Sequence, residues 1–234
     1  MNTGLYAGAS AMNAAERQLA VIAHNIANVD TVGYKRQGTA AHAFRVQTPV
    51  GQKKGLGTVE TVDWGQGNLL RTGNVYDVAL FGEGFLALDT PRGEAYTRGG
   101  QFQVDSNGVL MSPDGYPLSW KKQSGLIDPA GMPVVIDGDG GVTQGDVTLG
   151  HLKLVDFQDK AALRQDGDGY WTAAPGARQK TYTAAVHQGA LEQSNASSIE
   201  DVVAMVTVQR AFEAAANVTA MINESYTRLT RSGT

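Results

Sequence analysis

Helix-breaking residues are segregated along this chain. All seven prolines lie between Pro49 and Pro175, and 26 of the 29 glycines lie between Gly33 and Gly189. Only Gly4, Gly8 and Gly233 fall outside that window, and Ala190 to Thr230 contains neither residue type. Proline removes a backbone donor, and glycine costs ~1 kcal/mol in a helix interior. Long helices are therefore confined to the two ends, and the middle is left to short extended pieces.

The ends carry a helical pattern. Leu5, Met12, Leu19 and Ile26 stand seven apart, and Gly8, Ala15, Ile22 and Val29 form a second sevenfold series offset by three. This is a heptad seam with small residues at two early positions, and it predicts a helix over about 3–29. Asn2 or Thr3 caps its start, and Gly33 supplies a positive φ just beyond its end. At the other end Met205, Phe212, Thr219 and Tyr226 form one series, and Val208, Ala215, Ile222 and Leu229 the other. Ser197 or Ser198 caps this second helix, with Glu200 and Asp201 in the first turn, where the helix dipole favours them. Ile199, Val202, Val203 and Val206 add apolar surface beside the seam.

The middle alternates in the manner of short strands. Val75–Leu80, Phe85–Asp89, Gln101–Asp105, Val109–Ser112, Val134–Ile136, Val147–Val155 and Tyr170–Thr172 are rich in strand formers, with turn residues between them. Asn107-Gly108 between Phe102–Val104 and Val109–Met111 predicts a hairpin. Residues 34–73 have weak periodicity and read as an extended connector with some strand content.

The fold expectation is α+β. Long N- and C-terminal helices pair as an antiparallel coiled coil, and an all-β domain is inserted between them. The divisions are 1–33 for the first helix, 34–73 for the connector, 74–188 for the β-rich domain and 189–234 for the second helix. A lone heptad helix cannot bury its stripe, so the two ends need each other. The first 30 residues hold eight alanines and only Glu16, Arg17 and Asp30 as acidic or basic side chains. A surface so poor in charge suits packing against further copies. The competing reading folds the helices back on the β domain as ordinary core.

Composition excludes several classes of function. With no cysteine there is no disulfide, thiolate metal site or cysteine nucleophile. A net charge of -4 argues against a nucleic-acid partner. No run of 18 apolar residues is present, so stable membrane insertion is not expected. The start lacks a basic region followed by an apolar one, so no cleaved secretory signal is expected.

No chemistry-bearing constellation emerges. Gly82-Glu83-Gly84-Phe85-Leu86-Ala87 matches a relaxed dinucleotide fingerprint, but a strand rather than a helix should follow it. Asp137-Gly138-Asp139-Gly140 and Asp166-Gly167-Asp168-Gly169 look like calcium loops, yet their twelfth positions are Thr148 and Ala177, where a bidentate Glu is needed. His24, His42, His151 and His187 are scattered without a ligand partner at helical spacing. Trp64, Trp120 and Trp171 read as core or interface aromatics. No catalytic, cofactor-binding or metal residue is assigned. The alternative of another class is a β-rich glycan-binding module on a coiled-coil stalk.

Several motifs carry a family resemblance. Asn25, followed by Ala27-Asn28-Val29-Asp30-Thr31-Val32-Gly33-Tyr34-Lys35-Arg36, resembles the N-terminal motif of flagellar axial proteins, the rod and hook family. Gln66-Gly67-Asn68-Leu69, Thr72-Gly73-Asn74, Asp77-Val78-Ala79-Leu80 leading into Gly82-Glu83-Gly84-Phe85, and Tyr96-Thr97-Arg98-Gly99-Gly100-Gln101-Phe102 resemble its central blocks. Gly189-Ala190-Leu191-Glu192-Gln193-Ser194-Asn195 and Val208-Gln209-Arg210-Ala211-Phe212-Glu213 resemble its C-terminal motif.

The resemblance implies a structural subunit whose terminal helices form the inner domain of a helical tube, with the β domain outside. Length and a single modest β domain resemble the rod branch, proximal rod first and distal rod next. It implies torque transmission for motility and localisation in the basal-body rod across the periplasm. The partners it implies are copies of the chain, other rod proteins and the flagellar type III export apparatus. The expected assembly interface is Leu5, Met12, Leu19, Ile22, Ile26, Val29, Met205, Val208, Phe212, Ala215 and Ile222. The expected joint residues are Asn25, Asn28, Thr31, Gly33, Tyr34, Lys35, Ser194, Asn195, Gln209 and Arg210. Lys35 and Arg36 are read as complementing the helix C-terminus or as ion-pairing between subunits.

Overall fold

A computed structural model of the chain describes residues 3–48, 51–167 and 169–231. Helix α1 spans Thr3–Ala27 and α2 spans Ser198–Arg231, with antiparallel sheets between them. Asn2, one candidate cap, lies outside the described residues, as do the side chains of Thr3 and Leu229 and the whole of Asp168. The chain divides into two compact units. One comprises 1–29, 36–63 and 196–234, and the other comprises 30–35 and 64–195.

In the helical unit, α1 and α2 pack antiparallel. A Cβ on Gly4 would meet Ile222 at 3.1 Å, and one on Gly8 would sit 2.2 Å from the Thr219 hydroxyl. Further along, Ala15, Ile22 and Val208 form a buried cluster flanked by Leu19, Ile26, Ala204, Met205 and Phe212. The small early positions of α1 thus leave room for Ile222 and Thr219 of α2. Thr219 turns its hydroxyl back onto the Ala215 carbonyl at 2.8 Å, which satisfies it inside this narrow seam.

The same unit contains a feature that the weak periodicity hides. Strands β1 (Gln37–Thr48) and β2 (Gly51–Val62) pair antiparallel from Gln37↔Val62 to Thr48↔Gly51 and run against α1. Part of the span read as an extended connector is therefore a long hairpin.

The β unit holds a six-stranded sheet in the order 163–165, 170–173, 93–97, 85–90, 154–157, 179–180, and a four-stranded sheet in the order 134–136, 141–144, 147–152, 120–123. Its core gathers Val78, Leu80, Leu86, Leu88, Leu110, Leu118, Val142 and Leu152, each 2% exposed or less. Phe85, Leu86, Ala87 and Leu88 are all buried, so the first half of the strand over Phe85–Thr90 is covered on both faces. The hairpin around Asn107-Gly108 forms, pairing Gln103↔Met111 and Val104↔Leu110. The run 147–155 divides into two strands, 147–152 and 154–157. Within the first of these, Gly150 lets strand 120–123 approach closely: a Cβ would stand 2.2 Å from the Lys122 carbonyl. Strands 185–188 and 190–192, just before α2, pair with 78–81 and 69–71. The stretch 189–197, grouped by sequence with the second helix, is non-helical.

The edges of the four-stranded sheet are treated differently. Along 134–136, Gln188 Oε1 accepts the Ile136 N–H at 3.1 Å while its Nε2 donates to the Val134 and Val75 carbonyls at 2.8 and 2.7 Å. One side-chain amide thereby stands in for a neighbouring strand. The opposite edge, 120–123, carries exposed Lys121 and Lys122.

Candidate assembly joint and interface

The motif residues that follow α1 build two joints. In the helical unit, Asn25 is 1% exposed and faces the start of β1. Its Nδ2 donates to the Gln37 carbonyl and its Oδ1 accepts the Gln37 N–H, both at 2.8 Å. An asparagine amide presents the same donor–acceptor pair as a peptide, so Asn25 extends the strand edge back onto the helix. Arg36 reaches α2: Nη2 lies 2.6 Å and Nε 3.2 Å from Asp201 Oδ1. The hydrogen bond to Asp201, whose side chain is wholly buried, raises the Arg36 pKa above its ordinary value. Asn28 donates to the His24 carbonyl at 2.9 Å and so closes the last turn of α1.

In the β unit, the strap 30–35 is fastened by Glu192. Lys35 Nζ lies 2.6 Å from Glu192 Oε1, and Arg98 Nη1 lies 3.1 Å from Oε2. The Gly67 N–H donates to Oε1 at 3.0 Å, and the Gly33 N–H donates to the Glu192 backbone carbonyl at 2.7 Å. All three charged side chains are at least 95% buried. Burial lowers the Arg98 pKa, and Glu192 opposes that shift. Arg98 also donates to the Gly82 carbonyl at 2.6 Å and lies over the Phe85 ring. Buried charges require such pairing, because removing one partner strands the others in a low-dielectric site.

Gly33 has φ +70°, and a Cβ there would collide with Arg98 and Gly99 backbone atoms at 2.3 Å. Both the conformation and the space demand glycine. Tyr34 is 2% exposed, and its carbonyl accepts the Asn195 N–H at 3.4 Å. Asn195 Nδ2 donates to the Gly65 carbonyl, which Lys35 Nζ also contacts. Thr31 and Ser194 are half-buried beside these groups in the chain.

These contacts give Lys35 and Arg36 partners within the chain, acidic residues 157 and 165 positions away. Sequence reasoning missed Glu192 and Asp201 as partners. The one available signal was that each acid sits in or near the C-terminal motif. Arg98 belongs to a motif block, but its charge partner was likewise invisible.

The expected interface residues fall into two groups. Ile22 and Val208 are buried, with Leu19, Ile26, Met205 and Phe212 packed around them. Leu5, Met12, Val29, Ala215 and Ile222 are half-buried. Gln209 and Arg210 are exposed on α2. Exposed on α2 as well are Ile199 (78%), Val202 (49%), Val203 (63%) and Val206 (46%), followed by Val218 and Met221. The first four occupy i, i+3, i+4 and i+7, a single helix face.

The two motifs that look like calcium loops lie at turns between paired strands. Gly140 N–H donates to the Asp137 carbonyl between strands 134–136 and 141–144, and Asp166 N–H donates to the Tyr170 carbonyl between 163–165 and 170–173. Trp64 packs against Trp171 and Phe85, with ring centroids 4.7 and 5.5 Å apart, as a core aromatic. Among the described residues no helix is long and apolar enough to cross a membrane.

Comparison with known proteins matches the N-terminal region, part of the β unit and the C-terminal region. The family described as flagella basal body rod protein matches residues 5–35, the D1 domain of the flagellar hook protein FlgE/F/G matches 79–144, and the C-terminal region of flagellar basal body rod FlgEFG proteins matches 187–231. The flagellar basal-body rod protein FlgF of Caulobacter vibrioides is 33% identical over 228 residues, covering 93% of this chain and 92% of its own. FlgF of Mesorhizobium japonicum is 32% identical over 217 residues, covering 91% and 90%. The flagellar basal-body rod protein FlgG of Agrobacterium fabrum is 32% identical over 238 residues, covering 88% and 89%. With relatives this similar along nearly the whole length, the chain belongs to the flagellar basal-body rod protein family.

Proposed function

We propose that this chain is a structural subunit of the proximal part of the flagellar rod. In this reading α1 and α2 pair as an antiparallel coiled coil, and the pair lines the inner wall of a helical tube that transmits torque. The β unit faces outward. The chain reaches the periplasm through the flagellar export apparatus without a cleaved signal, and its partners are copies of itself and other rod proteins. The interface is the seam of Leu5, Met12, Leu19, Ile22, Ile26 and Val29 with Met205, Val208, Phe212, Ala215 and Ile222, extended by the exposed α2 face.

The observation that carries this reading is that exposed face. Ile199, Val202, Val203 and Val206 form an apolar stripe beside an already occupied seam. A helix with one face paired and another apolar face in water is built for a further neighbour. The FlgF relatives support the proximal position, and FlgG relatives such as the one from Agrobacterium fabrum support a distal position as the second reading.

Val203→Asp tests the proposal. Val203 is 63% exposed, so the monomer should keep its thermal stability within about 0.5 kcal/mol. Incorporation into rods, read by complementation of swimming and by fractionation of basal bodies, should be lost. Unimpaired swimming would show that this face meets no neighbour.

A further inference from the structure

We infer that Lys35, Glu192 and Arg98 form a latch that closes within the β unit before the helices pair, and so holds the roots of α1 and α2 side by side. The latch lies wholly in the β unit: the strap 30–35, the Gly65–Gly67 loop, Arg98 and strand 190–192 all belong to it. Glu192 is its hub, engaging Lys35 and the Gly67 N–H through one oxygen and Arg98 through the other, while its backbone carbonyl takes the Gly33 N–H. No helix residue is among these contacts.

Alternation of charge carries the latch into the six-stranded sheet. Arg98 feels the buried Asp156 carboxylate, Lys180 Nζ lies 3.0 Å from Asp156, and Glu83 lies 2.8 Å from Lys180 and 3.2 Å from Lys160. The strap is thereby tied into the β unit rather than to the helix it follows.

The consequence concerns search length. In the unfolded chain the ends of the two helices are separated by the whole β region, and bringing them together carries a loop-closure cost that grows with that length. With the latch closed, seven residues (28–34) separate Ala27 from Lys35, and five (193–197) separate Glu192 from Ser198. The helices then meet at the high effective concentration that short tethers impose. Lys35 is a positioning residue in this account. It acts by setting where α1 starts its search.

Two measurements on the full chain test this. The first is native-state hydrogen exchange of the wild-type monomer with increasing urea. The Gly33 and Gly67 amides should stay protected at urea concentrations where amides of 8–26 and 202–222 already exchange. Exchange of Gly33 and Gly67 together with the helices, or before them, would overturn the latch. The second is Lys35→Met, which removes one cation and leaves the Glu192–Arg98 pair intact. Gly33 and Gly67 protection should fall at least tenfold with Leu86–Leu88 protection unchanged, and rod incorporation should drop. Unchanged protection at Gly33 and Gly67 would also overturn it. If Leu86–Leu88 lost protection too, the variant would be globally destabilised, and the wild-type exchange order would decide. Only the incorporation readout rests on the rod-subunit reading. A latch confirmed by exchange with incorporation unaffected would refute the proposed consequence for assembly and spare the latch.

Discussion

The β unit and the helical unit stabilise themselves in opposite ways. The β unit buries a large apolar cluster and neutralises its interior charges with partners of its own, so that Lys35, Glu192 and Arg98 all lie at or below 5% exposure. In the helical unit, full burial within the helix-to-helix cluster is limited to Ala15, Ile22 and Val208, and a row of valines and isoleucine stays in water. The first arrangement pairs its buried charges within one molecule, with scattered apolar side chains such as Phe81, Met132 and Val147 left exposed. The second leaves apolar area whose burial, at ~25 cal/mol per Å², is available to association. The contrast separates a part that holds its shape alone from a part whose remaining stability is deferred to neighbours.

Substitutions can break or sharpen that contrast. Glu192→Gln should have the largest effect, since it leaves two buried cations facing each other. We expect a loss of about 3–5 kcal/mol in denaturant unfolding of the β unit. A loss below about 1 kcal/mol would mean that the cluster is more hydrated than its burial indicates.

A smaller effect is expected in the helical seam. Gly8→Ala gains ~1 kcal/mol of helix propensity but drives a methyl to 2.2 Å from the Thr219 hydroxyl. Net destabilisation of about 1 kcal/mol is expected in the monomer's helical signal. Thr219→Ala in the same chain should reverse its sign, because the Thr219 Cβ itself stands at an ordinary 3.5 Å from that methyl position. Additive behaviour of the two substitutions would show that the helices are not in close contact at this level.

The smallest effect concerns pH. Hydrogen bonds from Lys180 and Lys160 hold the Glu83 carboxyl at about 2, below its ordinary value of 4.5. A depressed folded-state pKa contributes stability that is fully present above about pH 4.5 and is lost as pH falls toward 2. Glu83 is more than half exposed, so screening reduces the contribution to a minor one. Unfolding midpoints of Glu83→Gln and wild type should therefore differ slightly at pH 6 and converge near pH 2.

The helices were legible because both signals agree there: glycine and proline are scarce and the heptads are sustained. The hairpin over 37–62 was not. Its first strand begins Gln-Gly-Thr-Ala-Ala, where glycine and alanine have low strand preference, and pairing rather than side-chain alternation defines it. The strands at 185–188 and 190–192 are short and continue directly toward a helical motif, so their pairing with 78–81 and 69–71 depends on partners about a hundred residues away. The joints were half visible. Gly33 announced its turn through local chemistry, whereas the acids that receive Lys35 and Arg36 lie beyond any spacing rule.

The Gln188 amide along strand 134–136 has a wider implication. A polypeptide produced in many copies and meant to stack risks stacking through the wrong surface, and an unprotected ribbon of peptide groups is the usual seed of fibrils. Here one ribbon is sealed by a single glutamine, and the other displays two adjacent ammonium groups. Both devices disfavour the addition of a further strand to this sheet.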